Sequence, residues 1–262
     1  MLLCPVRGCR LPLERDGRRV VCARGHSFDI ARSGYINLLQ PQDRRSKHPG
    51  DTAEAVAARR RLVDRGLSEP LFRAIAGVAE ASSTDSVLDA GCGEGFYLGS
   101  LARQTGCRSQ GVDLSIAAVD LAARRYPSCE WVVANADRFV PYADDSFSLV
   151  LSITARRNAS EFRRVLRVDG RLLVAIPAPD DLAELRGAGR DRTAQAIADF
   201  AGYFALDRQD RVSTNAQLDA EGVRDLLLSI YRPRRADEAQ AMSVTFSLDL
   251  LLFRPADQSR TC

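Results

Sequence analysis

Four side chains that bind soft metals crowd the start of the chain. Cys4, Cys9, Cys22 and His26 follow the spacing C-x4-C-x12-C-x3-H, in a sequence with only seven cysteines and two histidines. Two ligands from each of two tight turns can converge on one tetrahedral ion, and zinc is the metal that such sets favour. Pro5 and Gly8 lie inside the first turn, and Gly25 precedes His26 in the second. A disulfide scaffold fits less well, because Cys92, Cys107, Cys129 and Cys262 are spread along a chain long enough to build a core. Coincidental clustering is the other alternative, and the first pair, at x4, is wider than the usual x2.

The second group of residues is "VLDAGCGEGF", Val87 to Phe96. Gly91, Gly93 and Gly95 alternate between an expected strand and an expected helix, where glycine admits a ligand close to the main chain, near the positive end of a helix dipole. The dinucleotide fingerprint G-x-G-x-x-G is not matched, since the third glycine comes one residue early. Asp89 also precedes the loop, where it would repel a phosphate and suit an amino group or a sulfonium. Glu94 lies within the loop and belongs to the same candidate site. Asp113, at the end of the next strand, can take ribose hydroxyls, and Ala136 and Asp137 in "ANAD" can edge an adenine. This constellation resembles the S-adenosylmethionine site of class I methyltransferases.

The elements that must position these groups follow from the rhythm of the chain. Residues 1–36 read as short hairpin pieces around the metal, with "DGRRVVC" as a turn and strand. "NLLQPQDRRSKHPGD" reads as a basic linker, followed by two helices, so that 37–82 forms a connecting segment. In the first helix Asp51 or Thr52 is the expected cap. From Ser86 short apolar strands alternate with helices, which predicts an α/β domain over 83–262 with a mostly parallel, doubly wound sheet. "DAEGVRDLLLSI" then reads as a helix and "MSVTFSLDLLLFRP" as a long antiparallel strand at the edge of that sheet.

At 262 residues and 45% hydrophobic content the chain can bury a full core, and no apolar run is long enough to span a bilayer. The N-terminal "MLL" is too short for a secretory signal, so the thiols are expected to be reduced or metal-bound in a cytoplasm. The net charge of +3 is unevenly placed: residues 1–73 hold 15 Lys/Arg against 8 Asp/Glu, and the remainder holds 22 against 26. That asymmetry suggests a polyanion touched by the first quarter, with a solvated basic surface as the alternative.

With metal cluster and glycine loop both in view, the chain resembles the bacterial 23S rRNA (guanine-N1)-methyltransferases, a family that includes resistance enzymes against tylosin-type macrolides. The likeness rests on the four candidate ligands, "GHSFDIARSGYINLL", "HPGDTAEAVAARR", "LDAGCGEGFY", "VDLS", "RRVLRVDGRLLVAIP" and "LAEL". The resemblance implies a class I, Rossmann-like methyltransferase body, a small zinc-binding RNA-recognition domain, a guanine in a 23S rRNA hairpin as substrate, and a homodimer whose N-terminal domains help to form an RNA cleft. It also marks departures: Ser68 where the family has a tyrosine, Asp181 where it has a histidine, and Arg156 in place of the proline of an Ala-Pro step.

No residue announces itself as the proton acceptor for guanine N1. Asp51 is the first candidate and Asp181 the second, although Asp51 can equally be a helix cap and Asp181 a surface acid. Arg44, Arg45 and Lys47 in the linker are the expected phosphate contacts, with Arg59 and Arg60 on the following helix beside them. A small-molecule methyltransferase and a catalytically silent RNA-binding homologue are the rival readings. The metal knuckle and basic linker count against the first, and cofactor binding discriminates the second.

Overall fold

The structure is a computed structural model that describes residues 1–43, 50–230 and 239–256. It opens with three short antiparallel strands, β1 (Leu13–Asp16), β2 (Arg19–Cys22) and β3 (Ser27–Asp29), in the order β1-β2-β3. The Asp16–Arg19 hairpin turns through Gly17 at φ 62°, a conformation that glycine adopts without steric cost. This small sheet has little apolar surface of its own. Its Leu13, Val20 and Cys22 join a core cluster shared with Leu88 and Val112 of the body. Leu3 N donates to Pro141 O at 2.9 Å, and Ala143 N donates to Met1 O at 3.0 Å, so the first residues are stitched to the body by backbone.

The body is one eight-stranded sheet. In chain order its strands are β4 (Ile36–Asn37), β5 (Ser86–Ala90), β6 (Arg108–Asp113), β7 (Glu130–Val133), β8 (Phe147–Ile153), β9 (Leu166–Pro177), β10 (Phe204–Leu218) and β11 (Met242–Pro255). Their spatial order is β10-β11-β9-β8-β5-β6-β7-β4. β5 is buried at every position, as a central parallel strand covered on both faces must be. Helices α3 (Phe96–Thr105), α4 (Ile116–Arg125) and α5 (Ala159–Val165) make the crossovers. The chain winds from β5 outward to β7, then returns to β8 on the other side. That reversal leaves a crevice outside the carboxyl ends of β5 and β8, where ligands of open α/β sheets bind.

Two features differ from the sequence expectation. The long terminal strand β11 is not at the edge. It lies between β9 and β10, antiparallel to both, and the edge belongs to β10, which was not expected at all. β10 is exposed along most of its length, so its sequence lacks an apolar period. In addition, the described parts of 37–82, residues 37–43 and 50–82, pack on the body as well as connecting to it. β4 extends the large sheet, α1 (Ala53–Asp64) packs on α8 (Ala220–Ser229) and α4, and α2 (Glu69–Ala79) packs on β9, β10 and β11. α6 (Ala183–Arg186) and α7 (Thr193–Phe200) complete the helices. Thr52, not Asp51, caps α1, accepting the Ala55 amide at 3.2 Å. No helix among the described residues is long and apolar enough to cross a membrane.

Candidate functional site

Cys4, Cys9, Cys22 and His26 converge, with all four ligand atoms within 4.8 Å of one another. Cys4 Sγ and Cys22 Sγ each lie 3.4 Å from His26 Nδ1, and Cys9 Sγ lies 3.7 Å from Cys22 Sγ. Zinc bonds of about 2.3 Å to sulfur and about 2.0 Å to nitrogen put tetrahedral ligands about 3.5–3.8 Å apart, close to the three shortest separations here, so the donors fit that ion with a small contraction of the set. Gly8 and Gly25, at φ 75° and 80°, make the two knuckles. Burial pushes the Cys4 thiol up to about 12, with Cys9 and Cys22 acting in the same sense. Burial also opposes ionisation of Cys22, but the Arg24 and His26 amides together with hydrogen bonds from Cys9 and Cys4 outweigh it and bring that thiol down to about 6. A divalent cation is what would let three thiolates coexist here.

The glycine loop leaves β5 at its carboxyl end. Gly91, Gly93 and Gly95 all have positive φ, at 91°, 54° and 81°. Two of them are held by packing as well. A Cβ on Gly91 would lie 2.3 Å from Ala155 Cβ, and one on Gly95 would lie 2.5 Å from the Trp131 ring. Gly93 is different: its nearest neighbour would be Arg59 Nη1 at 3.8 Å, so its face is open toward the crevice.

Three acids surround this loop. Asp89 is 2% exposed, and its Oδ1 has no hydrogen-bond partner. Burial, then the charges of Asp113 and Glu94, push its carboxyl up to about 8. Burial likewise raises Glu94 and Asp113. Asp113 is partly satisfied, accepting the Gly93 amide at 2.9 Å and the Ser115 amide at 2.8 Å. An orphaned buried carboxylate oxygen beside two further acids asks for a cationic ligand. A compound carrying both an ammonium and a sulfonium meets that demand, so the pocket fits S-adenosylmethionine.

Arg59 brings a positive charge to this cluster, and Arg60 adds a smaller one at Glu94. Arg59 Nη1 pairs with Asp51 Oδ2 at 2.6 Å, and its Nη2 donates to Ser229 O at 2.9 Å. Its charge favours the ionised forms of both Glu94 and Asp113. Sequence reasoning placed Arg59 among the phosphate contacts, and the structure turns it inward because α1 packs on the body. Arg60 departs from the same expectation. Its side chain is 12% exposed, bonds Asp64, and donates to Tyr126 Oη at 3.2 Å, which ties α1 to α4. Arg44, Arg45 and Lys47 lie outside the described residues.

The two candidate proton acceptors occupy different surroundings. Asp51 sits against the loop after β6, where its carbonyl accepts Ser115 Oγ–H at 2.9 Å and its charge raises Asp113. Asp181 is taken up by structure, accepting the Ser247 amide at 3.0 Å and pairing with Arg186 at 2.6 Å. Ser68 precedes α2 without capping it through its side chain. On the side expected for an adenine, Asn158 holds the loop by donating to the carbonyls of Ala136 at 3.3 Å and Asp137 at 2.9 Å. Sequence reading missed Asn158, although "NASE", with Asn158 capping α5, carried the signal.

Comparison with known proteins agrees with both parts in order. A family described as the N-terminal zinc ribbon of RlmA matches residues 2–47, and a methyltransferase-domain family matches residues 87–170. The chain is 36% identical over 233 residues to a 23S rRNA (guanine(748)-N(1))-methyltransferase of Streptomyces fradiae, covering 85% of this chain and 81% of the relative. It is 38% identical over 205 residues to a protein of Micromonospora griseorubida named for 23S rRNA (guanine-N(1)-)-methyltransferase activity, covering 70% and 68%. Among solved structures, the methyltransferase from a complex with the Haloferax volcanii Trm112 activator superposes with a TM-score of 0.57 at 20% identity, over 79% of this chain and 99% of that one. The YcgJ protein of Bacillus gives 0.52 at 19% identity, over 71% and 98%. These two likenesses show the class I methyltransferase fold. A zinc ribbon built on that fold, and the extent of identity with the two relatives, show that the chain belongs to the family of 23S rRNA (guanine-N1)-methyltransferases.

Proposed function

We propose that this chain transfers a methyl group from S-adenosylmethionine to N1 of a guanine in a 23S rRNA hairpin. The observation that carries this reading is the crevice itself: an acid-lined glycine loop with an unpartnered Asp89 oxygen, on the same body that grips a zinc ribbon. S-adenosylmethionine supplies an already activated methyl group on a sulfonium. The protein's work is therefore alignment of donor and acceptor and exclusion of water. Asp89 and Glu94 hold the cationic end of the donor, Gly91, Gly93 and Gly95 let it approach the backbone, Asp113 takes the ribose hydroxyls, and Ala136 and Asp137 edge the adenine. Asp51 accepts the proton that guanine N1 loses, and Arg59 fixes the orientation of that carboxylate. Zinc on Cys4, Cys9, Cys22 and His26 folds the ribbon that recognises RNA. The assembly is a cytoplasmic homodimer, which light scattering would report as twice the 28.7 kDa chain mass.

The test is methyl transfer from labelled S-adenosylmethionine to naked 23S and 16S rRNA, followed by reverse transcription. Methylation at N1 blocks Watson–Crick pairing, so one strong stop in 23S rRNA is the expected result. Label without a stop would overturn the N1 assignment, and label confined to 16S rRNA would overturn the substrate. Asp51→Asn should lower kcat about 100-fold or more with donor affinity retained.

A further inference from the structure

A second cavity opens beside the glycine loop, and of its lining only Asp137, at the border with the adenine side of the crevice, has been given a role above. Its volume is about 670 Å³, within the range of sites that take a small organic ligand. Thr154 and Ala155, at the carboxyl end of β8, form one wall; Ile176 and Phe200 supply an apolar side; three arginines, Arg156, Arg157 and Arg192, outnumber the two carboxylates, Asp137 and Asp199, on the polar side. Ala155 is shared with the cofactor crevice, since its Cβ lies where a side chain on Gly91 would have to be. The cavity and the glycine loop are therefore separated by one methyl group.

The backbone here is strained. Thr154 has φ 50°, in the left-handed region that a β-branched residue enters at a cost, and its amide is held by Ala175 O at 2.8 Å. That bend carries the chain from β8 past Gly91 and brings Arg156 and Arg157 to the rim. Arg157 is tied to Asp199 at 3.0 Å. Arg156, 85% exposed, meets Asp137 at 3.3 Å, a solvent-screened pair that an incoming phosphate can displace. Arg192 makes no ion pair among the described residues, and Arg190 lies two positions before it in an exposed segment. The loop that carries Asp137 also receives the ribbon, through Arg10 stacked 4.8 Å over Phe139.

We infer that this cavity is the acceptor-nucleotide site, with the flanking RNA phosphates on Arg156 and Arg192 and the base directed past Ala155 toward the glycine loop. The inference rests on the RNA methyltransferase reading above and names the residues that take its substrate. A base must be unstacked to reach such a cavity, and cationic side chains at the rim hold the backbone while it is turned in. Arg156 and Arg192 are both exposed, so their replacement should not unsettle the core.

The test uses the full-length zinc-loaded protein with Arg156→Ala, Arg192→Ala and the double variant. Binding to deproteinised 23S rRNA is measured by filter retention across a KCl series, with donor affinity measured by calorimetry. Each single variant should weaken RNA binding about three- to tenfold and reduce the salt slope by about 0.7–0.9, the signature of one lost phosphate contact. Donor affinity should stay within about twofold, and the double variant should raise KM for RNA more than it lowers kcat. Unchanged affinity and slope in the double variant would overturn the inference, as would a matching loss of donor binding. If wild type methylates a different RNA, the 23S assignment falls, and the same variants measured on that RNA still decide the cavity.

Discussion

The zinc ribbon and the cofactor crevice both gather ionisable side chains into a small volume, but they balance the charge in opposite ways. In the ribbon, three cysteines and a histidine come from residues 4–26, and Arg24, beside them in the chain, donates to the Gly8 carbonyl at 2.9 Å rather than to a sulfur. The balancing charge must come from outside as a metal ion, so the ribbon's fold and its ligand are one equilibrium. In the crevice, Asp51, the pair Asp89 and Glu94, and Asp113 come from three stretches of chain that an eight-stranded sheet brings together, and Arg59 faces them from α1. The sheet is held by apolar clusters of its own on both faces. The crevice can therefore store unfavourable electrostatics that its ligand relieves, whereas the ribbon has no comparable core to store them against.

The largest expected effect lies on the ribbon side. Chelation, or Cys22→Ser, should remove one zinc per chain and unfold the ribbon, since structural zinc contributes on the order of 10 kcal/mol to such units. The chain's single tryptophan, Trp131, lies in the body, so its fluorescence reads the body separately. Its unfolding transition should persist at a Tm lowered by a few degrees, because Leu13 and Val20 share a core with the body. Loss of the Trp131 transition together with the metal would break the distinction between the two regions.

Next comes Gly95→Ala. The new Cβ would meet Trp131 at 2.5 Å and Ala122 at 2.8 Å, from a residue at φ 81°. Overpacking and the left-handed backbone together should cost about 2–4 kcal/mol, read by denaturant titration. An unchanged midpoint would show that the loop is looser than its packing indicates.

Asp89→Asn sharpens the contrast, because stability and binding should move in opposite directions. The folded chain keeps a proton on Asp89 up to about pH 8, whereas the unfolded chain releases it near 3.8. The unfolded state therefore binds fewer protons across that interval, and stability falls as the pH rises through it. At pH 8 the ligand-free variant should melt several degrees above wild type, and its stability should depend less on pH between about 4 and 8. Calorimetry should show donor binding weakened about 100-fold. A variant that is both less stable and fully competent to bind would remove Asp89 from the site. The smallest effect is expected for Thr52→Ala, about 1 kcal/mol from the lost cap on α1.

Legibility from sequence followed the range of the interactions. The zinc ligands and the glycine loop could be read because each is a local pattern: donors on two tight turns, and glycines at alternate positions between a strand and a helix. Asp113 could be read because the end of the next parallel strand is adjacent by topology. Arg59 and Arg60 could not be placed, since in sequence they are two arginines in a basic run. Only the packing of α1 against α8 and α4 turns one toward the acids and buries the other against Asp64 and Tyr126. β10 escaped notice because an exposed edge strand is held by its backbone pairing to β11 and leaves no apolar period.

The sequence by itself determined the Cys3His cluster, the glycine loop and the alternation of strands and helices, because side-chain chemistry and backbone freedom at short range suffice for each. The tertiary structure decided where the terminal strand lies, which arginine meets which acid, and that β8 ends in a strained turn beside a basic cavity. Those outcomes depend on which surfaces the sheet brings together across long stretches of chain, and no local pattern carries that information.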